Sequence, residues 1–227
     1  MRILAIDTAL EACSAAVLDT DSGNIVAHES LPMQRGHAEA LMPLIKRVLD
    51  RAGGDFAALD RIAVTTGPGS FTGLRVGIAA ARGIGLAAGK PVVGLSTLAA
   101  YAAPFIAADD TLPVVSAIDA RHDHVYLQVF GPGGRTLVPP RLASLRDALR
   151  AATGGAPRLV GTAAQILAAA WPTGERAPSA VEQRAAPDID WVARLGAAAI
   201  DTGAPPKPLY LRAPDAQPQN AAQLARR

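Results

Sequence analysis

The chain has 227 residues, of which 50% are apolar and only 4% are aromatic. This composition can build a sizeable core, which excludes a wholly disordered chain and predicts one large domain or two small lobes. Its 22 basic and 20 acidic residues leave a net charge of +2. Without a basic run or an aromatic platform, this charge does not indicate a protein that binds nucleic acid by itself.

The start of the chain and its cysteine content indicate a compartment. Cys13 is the only cysteine and can form no internal disulfide, which is usual in the reducing cytosol. The apolar run at the start ends at Asp7 and is too short for a signal-peptide core. The longest low-charge stretch, 76–89, contains Arg82 and is shorter than the roughly 20 residues that span a bilayer. We therefore expect a soluble, cytoplasmic protein without membrane contact.

The first hundred residues are predicted to form a βββαβα unit, which is a mixed sheet with helices packed against it. Three strands come first and form an antiparallel meander. Strands and amphipathic helices then alternate, and each helix ends at glycine. The predicted elements are strands at 2–6, 14–18 and 25–29, a helix from His37 to Ala52, a strand at 61–66, a helix capped by Ser70 that runs to about Gly89, and a strand at 91–95.

A second set of elements follows an irregular stretch at 104–113. We therefore divide the chain into a first lobe at 1–103, a second lobe at 104–212 and a mobile tail at 213–227. The last helix of the second lobe is able to pack back on the first lobe. The predicted elements are strands at 114–119 and 124–130, a helix at 145–151, a strand at 158–161 and a helix at 189–202.

The turn before the second predicted helix, 66–75, is the most informative segment. A strand that leads into a helix N-terminus leaves free backbone N–H groups, which can bind phosphate. The phosphate-loop pattern fails because no Lys-Ser or Lys-Thr pair follows Gly73, and the dinucleotide pattern fails because Thr72 replaces its third glycine. A structural or interface role is favoured, and phosphate binding at Gly67 and Gly69 stays open.

The helix that follows this turn carries two unusual rows of residues. One row has almost no side chains and consists of Gly73, Gly77, Ala81, Gly85 and Gly89. The second row is bulky and consists of Phe71, Leu74 and Ile78. Each interior glycine costs about 1 kcal/mol relative to alanine, so close approach of another backbone is expected to offset that cost. The glycine row faces either the sheet of its own lobe or a partner. A helix that is apolar on more than one side needs two packing surfaces, so both are expected here.

Six short motifs, densest before residue 100, extend over most of the chain. They are ILAIDTA at 3–9, RGHAEALMP at 35–43, GPGSFTGLRVGIAAARGI at 67–84, GLSTL at 94–98, DAR at 119–121 and PLYLR at 208–212. Together they resemble the bacterial TsaB family of tRNA threonylcarbamoyladenosine biosynthesis proteins, also described as YeaZ-like or glycoprotease-like. The resemblance implies an actin-like, Hsp70-like and sugar-kinase-like (ASKHA) α/β fold of two lobes, consistent with the βββαβα pattern.

The resemblance implies a non-catalytic subunit of the synthase that makes N6-threonylcarbamoyladenosine at position 37 of tRNA. Proteins of the TsaB family pair with the catalytic paralogue TsaD, and the ATPase TsaE joins them. The paralogue carries a metal-binding His-x-x-x-His on its first helix, whereas here His37 is followed by Leu41, so half of that metal clamp is missing. No cofactor is therefore expected on this chain, since ATP and metal belong to the partners, and tRNA is reached only through the complex.

The resemblance also implies where partners bind. The helices at 37–52 and 70–88 are expected to form a four-helix bundle with a second copy or with TsaD. A homodimer and a heterodimer that share one surface must compete, so partner exchange becomes part of the mechanism. The expected interface residues are His37, Leu41, Leu44, Ile45, Ser70, Phe71, Gly73, Leu74, Gly77, Ile78, Ala81 and Gly85.

An enzyme of the same fold is the alternative, acting alone as an ATP-dependent or metal-dependent transferase. Asp7 and Thr8 end the first strand where actin-like ATPases place an acidic residue, so with Gly67 and Gly69 they form the candidate nucleotide site. Ala9 replaces the glycine usual there, which weakens this reading.

Two further sites are weaker still. The segment 122–124 (His-Asp-His) could hold a metal together with Asp119, but a polar turn is favoured. A peptidase is disfavoured because Ser70 and Ser96 both lack the G-x-S-x-G pattern.

Overall fold

The computed structural model describes residues 1–212, and the tail predicted at 213–227 lies outside these described residues. The first sheet has five strands in the order β3-β2-β1-β4-β5. The first three pair antiparallel, and β4 and β5 continue the sheet in parallel beside β1. The strands are β1 (Arg2–Asp7), β2 (Ala12–Asp19), β3 (Asn24–Pro32), β4 (Arg61–Gly67) and β5 (Val92–Ser96). This sheet confirms the antiparallel meander and the mixed sheet predicted for the first lobe.

The second sheet repeats this topology, with the order β10-β9-β6-β7-β8. Its strands are β6 (Val114–Asp119), β7 (His124–Phe130), β8 (Thr136–Ser144), β9 (Arg158–Gly161) and β10 (Ala180–Gln183). The predicted α/β fold of two actin-like lobes with mixed βββαβα sheets is therefore confirmed. The sequence analysis missed β8 and β10. Both are edge strands, and β8 contains Pro139 and Pro140, which a strand tolerates at an edge because fewer N–H groups must pair there.

Helices cover the sheets in an outer layer and an inner layer. The helices are α1 (His37–Arg51), α2 (Phe71–Ala88), α3 (Thr97–Ala108), α4 (Leu145–Ala152), α5 (Ala164–Ala169) and α6 (Ile189–Ala198). The outer layer is formed by α1 and α2 on the first sheet and by α4 and α5 on the second. The inner layer is formed by α6, which packs on the first sheet, and α3, which packs mainly on the second. Helix α3 therefore lies between the two sheets, and α6 lies beside it on the first sheet.

Helix α3 was not predicted, because the sequence around Pro104 was interpreted as irregular. Ser96 caps this helix by accepting a hydrogen bond from the N–H of Ala99 at 3.4 Å. Its sequence, TLAAYAAPFIAA, is apolar on every side and shows no amphipathic period. A helix enclosed between two sheets needs no polar face, which explains why periodicity did not reveal it. The division predicted at 103–104 falls inside this helix.

Helix α6 returns the chain to the first sheet after the second sheet is complete. Its buried residues Ile189, Val192 and Ala193 pack against the side of the first sheet opposite α1 and α2. The helix approaches so closely that a Cβ on Gly196 would lie 2.3 Å from the Cβ of Ala63. It ends at Ala198, four residues earlier than the predicted end at 202. Among residues 1–212, no helix has the length and hydropathy required to cross a membrane.

Candidate functional site

The interface residues predicted on α1 face the core of their own lobe. Leu41, Leu44 and Ile45 are fully buried, and His37 is 8% exposed. The Nε2 atom of His37 lies 3.1 Å from the carbonyl oxygen of Leu10, to which it can donate a hydrogen bond. Their helix face packs on the first sheet of their own lobe, and contact of these four side chains with a partner stays a prediction.

The glycine row of α2 also faces its own lobe. A Cβ on Gly73 would lie 2.1 Å from the carbonyl oxygen of Thr8, and one on Gly77 would lie 2.4 Å from the Oγ1 atom of the same residue. A Cβ on Gly85 would lie 2.3 Å from a methyl group of Val92. Close backbone approach is thus the reason for these glycines, as predicted, but the approaching chain is β1 and β5 of the same lobe. The remaining predicted residues Leu74, Ile78 and Ala81 are also buried.

A different side of α2 is open to solvent. We define the outer face of α2 as Thr72, Val76, Ala79, Gly83, Leu86 and Ala87. These residues recur at three- and four-residue spacing and carry no charge. Leu86 is 88% exposed. Phe71, at the start of α2, is 43% exposed, and Met42 of α1 is 45% exposed. Of the predicted interface residues, only Ser70 and Phe71 are exposed. The same spacing in the sequence could have revealed this face.

The candidate nucleotide site at the end of β1 is filled by protein atoms. The Oγ1 atom of Thr8 donates to the carbonyl oxygen of Gly73 at 2.7 Å. The N–H of Ser70 donates to the carbonyl oxygen of Ala9 at 2.7 Å, and a Cβ on Gly69 would lie 2.3 Å from that same oxygen. Because the two loops pack directly on each other, the space beside Thr8 that a phosphate would need is not formed.

Asp7 and Gly67, the other members of that candidate site, are buried. The Oδ1 atom of Asp7 accepts hydrogen bonds from Thr65 and from the N–H of Ala9, at 2.5 and 3.1 Å. Its Oδ2 atom has no hydrogen-bond partner among residues 1–212. Burial raises the pKa of this carboxyl group, and the hydrogen bonds offset the effect only in part. The group is enclosed in the first lobe and is not presented to a ligand.

A polar cleft of about 740 Å³ lies between the lobes. Arg35, Arg121 and Arg212 line it from three different segments, together with Glu11 and Asp119. The turn at 121–123, between β6 and β7, has three consecutive non-glycine residues with φ between 51° and 62°. Among residues 1–212, no three His, Cys, Asp or Glu side chains are placed to hold a metal ion, so the metal site considered at 122–124 is not formed.

The PLYLR motif forms a strap, 206–212, that links the two lobes. The N–H of Leu209 donates to the carbonyl oxygen of Thr66 at 2.7 Å, and Arg212 donates to the carbonyl oxygen of Ala120 at 3.1 Å. Between these bonds the ring of Tyr210 packs against Phe71, with centroids 5.3 Å apart and the ring planes tilted by 31°. These contacts join residues more than ninety positions apart in sequence, so no local pattern in the sequence predicts them.

The two serines considered as nucleophiles are helix caps. Ser70 accepts a hydrogen bond from the N–H of Gly73, and Ser96 caps α3 in the same way. The geometry thus defines an α/β protein of two actin-like lobes, in which the first lobe exposes an uncharged helical face and neither serine is arranged for catalysis.

Comparison with known proteins identifies the family. A family model described as "TsaD: tRNA N6-adenosine threonylcarbamoyltransferase" matches residues 25–181. The tRNA threonylcarbamoyladenosine biosynthesis protein TsaB of Escherichia coli K12 is 41% identical over 126 residues, which cover 56% of this chain and 53% of that protein. The uncharacterized protein Rv3421c of Mycobacterium tuberculosis H37Rv is 36% identical over 217 residues, covering 95% of this chain and 94% of that one.

A solved structure agrees with these relatives. YeaZ from Pseudomonas aeruginosa superposes with a TM-score of 0.76 at 27% identity, covering 92% of this chain and 99% of that chain. The chain belongs to the TsaD family and within it is TsaB/YeaZ-like. It spans about half the length of the curated TsaB proteins that it matches.

Proposed function

We propose that this chain is a non-catalytic subunit of the cytoplasmic machinery that makes N6-threonylcarbamoyladenosine in tRNA. Its role is to bind and stabilise the catalytic subunit TsaD, with the ATPase TsaE joining the pair. The similarity to TsaB of Escherichia coli, named as a threonylcarbamoyladenosine biosynthesis protein, supports the process. The observation that carries the mode of action is the exposed, uncharged outer face of α2.

This face is suited to a helix of another protein. Exposed helix surfaces are normally polar, so an uncharged row of about four turns indicates a partner. Thr72, Ala79 and Gly83 have short side chains, which allow two helix axes to approach closely. Phe71 and Leu86 stand at either end of the row and supply the larger apolar area. Burial of such a side chain against a partner contributes about 1.5–3 kcal/mol.

The same geometry disfavours catalysis by this chain alone. His37 is turned toward the backbone of Leu10, and Leu41 occupies the position one helical turn later where a second metal ligand would stand. Asp7 is fully buried and accepts hydrogen bonds from Thr65 and Ala9. ATP, metal and the transfer chemistry are therefore assigned to TsaD and TsaE, and tRNA is contacted through the complex.

The outer face binds either TsaD or a second copy of this chain, one at a time. Two partners that use one surface exclude each other, so the homodimer forms only in the absence of TsaD. Competition of this kind predicts that added TsaD converts homodimer into heterodimer.

The test is a reconstitution in which this chain, TsaD, TsaE, ATP, threonylcarbamoyl-adenylate and tRNA are omitted one at a time. Ala79→Arg places a charge on the outer face, and we expect at least a tenfold weaker affinity for TsaD and for self-association. The matched control is Ala169→Arg, an exposed helical alanine of the second lobe, which should bind within twofold of the unmodified chain. Transfer without TsaD, or unchanged binding of Ala79→Arg, would contradict the proposal.

A further inference from the structure

A groove of about 470 Å³ lies beside the C-terminal end of α2. One wall is formed by the last turns of α2, including Gly83 and Leu86. The floor is the entry to β5 at Pro91 and Val92, and the opposite wall is the segment 201–206. None of these residues belongs to the interlobe cleft, which is lined by the opposite ends of the sheets. The groove is therefore a separate feature of the first lobe.

The groove is apolar and open. Leu86 on one wall is 88% exposed, and Ile200, which immediately precedes the other wall, is 86% exposed. A Cβ on Gly83 would meet no atom within 4 Å, so this wall has no side chain of its own at that point. Two large aliphatic side chains left in solvent beside a glycine-lined depression are typical of a surface that receives an apolar side chain from another molecule.

The charges around the groove are not balanced among residues 1–212. The side chains of Arg82 and Lys90 have no hydrogen-bond or ion-pair partner in the part of the chain that the structure describes. Asp201 on the opposite wall is engaged, because its Oδ1 atom accepts a hydrogen bond from the N–H of Gly203 at 2.8 Å. Two unpaired cations beside an apolar floor are complementary to a carboxylate next to an aliphatic or aromatic side chain.

We propose that this groove receives an acidic segment of TsaD while the outer face of α2 pairs with that protein. This inference rests on the proposed function. Gly83 and Leu86 belong both to the outer face and to the groove wall, so a partner seated on the face runs directly beside the groove. A second copy of this chain is less suited, because α2 contains no acidic residue and presents Arg75 and Arg82 instead. The groove therefore favours TsaD over the homodimer.

The affinity of the full chain for purified TsaD, measured by calorimetry at two salt concentrations, tests this proposal. Lys90→Glu and Ala204→Trp alter the groove without changing α2, and we expect each to raise the Kd about tenfold. Lys90→Glu should also weaken the salt dependence, since it removes one of the attractive charges. The matched control is Lys207→Glu, an exposed lysine just beyond the groove, which should stay within twofold.

The outcomes separate the groove from the outer face. If Ala79→Arg loses binding while both groove variants bind normally, the groove proposal is overturned and the proposed function stands. If the groove variants lose binding and Ala79→Arg does not, the groove is supported and the outer face is rejected. Groove variants that impair only self-association identify a second copy as the occupant and overturn the proposal, as does the absence of any TsaD binding. Thermal unfolding of each variant verifies that it is folded, and Lys90→Ala replaces any that is not.

Discussion

The two lobes share one strand order but differ in the layer that covers their outer sides. On the first lobe this layer consists of helices of 15 and 18 residues, and on the second of helices of 8 and 6 residues. The solvent side of α4 carries the charged residues Arg146, Asp147 and Arg150, whereas the solvent side of α2 has an uncharged outer face with the exposed Arg75 and Arg82 beside it. The same sheet topology is thus compatible with a charged outer surface and with an uncharged one. The side chains on the outer helices decide which lobe has a partner surface.

The two lobes are alike in their inner layer. In each lobe an arginine at the start of a strand bonds to carbonyl oxygens at the end of an inner helix. Arg61 and Arg158 are the first residues of β4 and β9, which take equivalent places in the two sheets. Arg61 donates to carbonyl oxygens at the end of α6, at 2.8 to 3.2 Å. Arg158 donates to the carbonyl oxygens of Phe105, Asp109 and Leu112, at and beyond the end of α3. A cation at a helix C-terminus pairs with carbonyl groups that have no partner in the helix.

The ends of the first strands differ again. Asp7 ends β1 and is fully buried, whereas Asp119 ends β6 and is exposed at the cleft. The first lobe has therefore closed the position that the second lobe leaves open. This closure accompanies the tight packing of α2 on β1, since Thr8 follows Asp7 and bonds to the glycine row.

The largest expected effect comes from breaking that packing. Gly73→Val introduces a Cβ 2.1 Å from the carbonyl oxygen of Thr8, so the helix must move away from β1. We expect a loss of about 3 kcal/mol or more in the free energy of unfolding, measured by urea denaturation. The control on the same helix is Gly83→Ala, where the space is open and stability should rise by about 0.5–1 kcal/mol. A stability of Gly73→Val within 1 kcal/mol of the unmodified chain would reject the inward orientation of the row.

An intermediate effect is expected at the two arginines. Arg158→Met removes the arginine donor from three carbonyl groups, of which Phe105 keeps the N–H of Asp109, at a site where the arginine is only 8% exposed. We expect a cost of about 2–4 kcal/mol. Arg61→Met removes the same kind of contact at a half-buried site open to water, so a cost of about 1–2 kcal/mol is expected. Denaturation of both variants under one set of conditions gives the comparison, and equal or reversed costs would show that burial does not set the strength of this contact.

The smallest expected effect concerns pH. Burial raises the pKa of Asp7, so between its unfolded and folded pKa values the folded chain holds more protons than the unfolded chain. This contribution to stability is present at low pH and is lost as the pH rises through the folded pKa. Asp7→Asn keeps an oxygen for Thr65 and Ala9 but cannot ionise, so the variant should lack this loss.

The measurement is urea denaturation of Asp7→Asn and the unmodified chain in steps from below the ordinary aspartate pKa of 3.8 upward. The matched control is Asp119→Asn, which removes the exposed carboxyl at the equivalent place. If the free energy of unfolding of Asp7→Asn depends on pH in the same way as that of the unmodified chain, the buried carboxyl does not contribute to this dependence.

The sequence determined the elements that have a period or a terminal signal. The three meander strands, α1 and α2 could be predicted because one side of each packs on a core and because Ser70 and Gly89 mark the ends of α2. Helix α3 and the edge strands β8 and β10 could not, since an enclosed helix and an edge strand with prolines have no such pattern. The motifs also sufficed to recognise the family.

Only the tertiary structure decided which side of α2 faces inward. A period of 3.6 residues tells which residues share a face, but the side that packs on β1 is set by contacts with residues such as Thr8, more than sixty positions away. For the same reason the strap at 206–212 and the groove beside Lys90 could not be found in the sequence. Local patterns specify elements, whereas long-range packing selects the surfaces that remain for a partner.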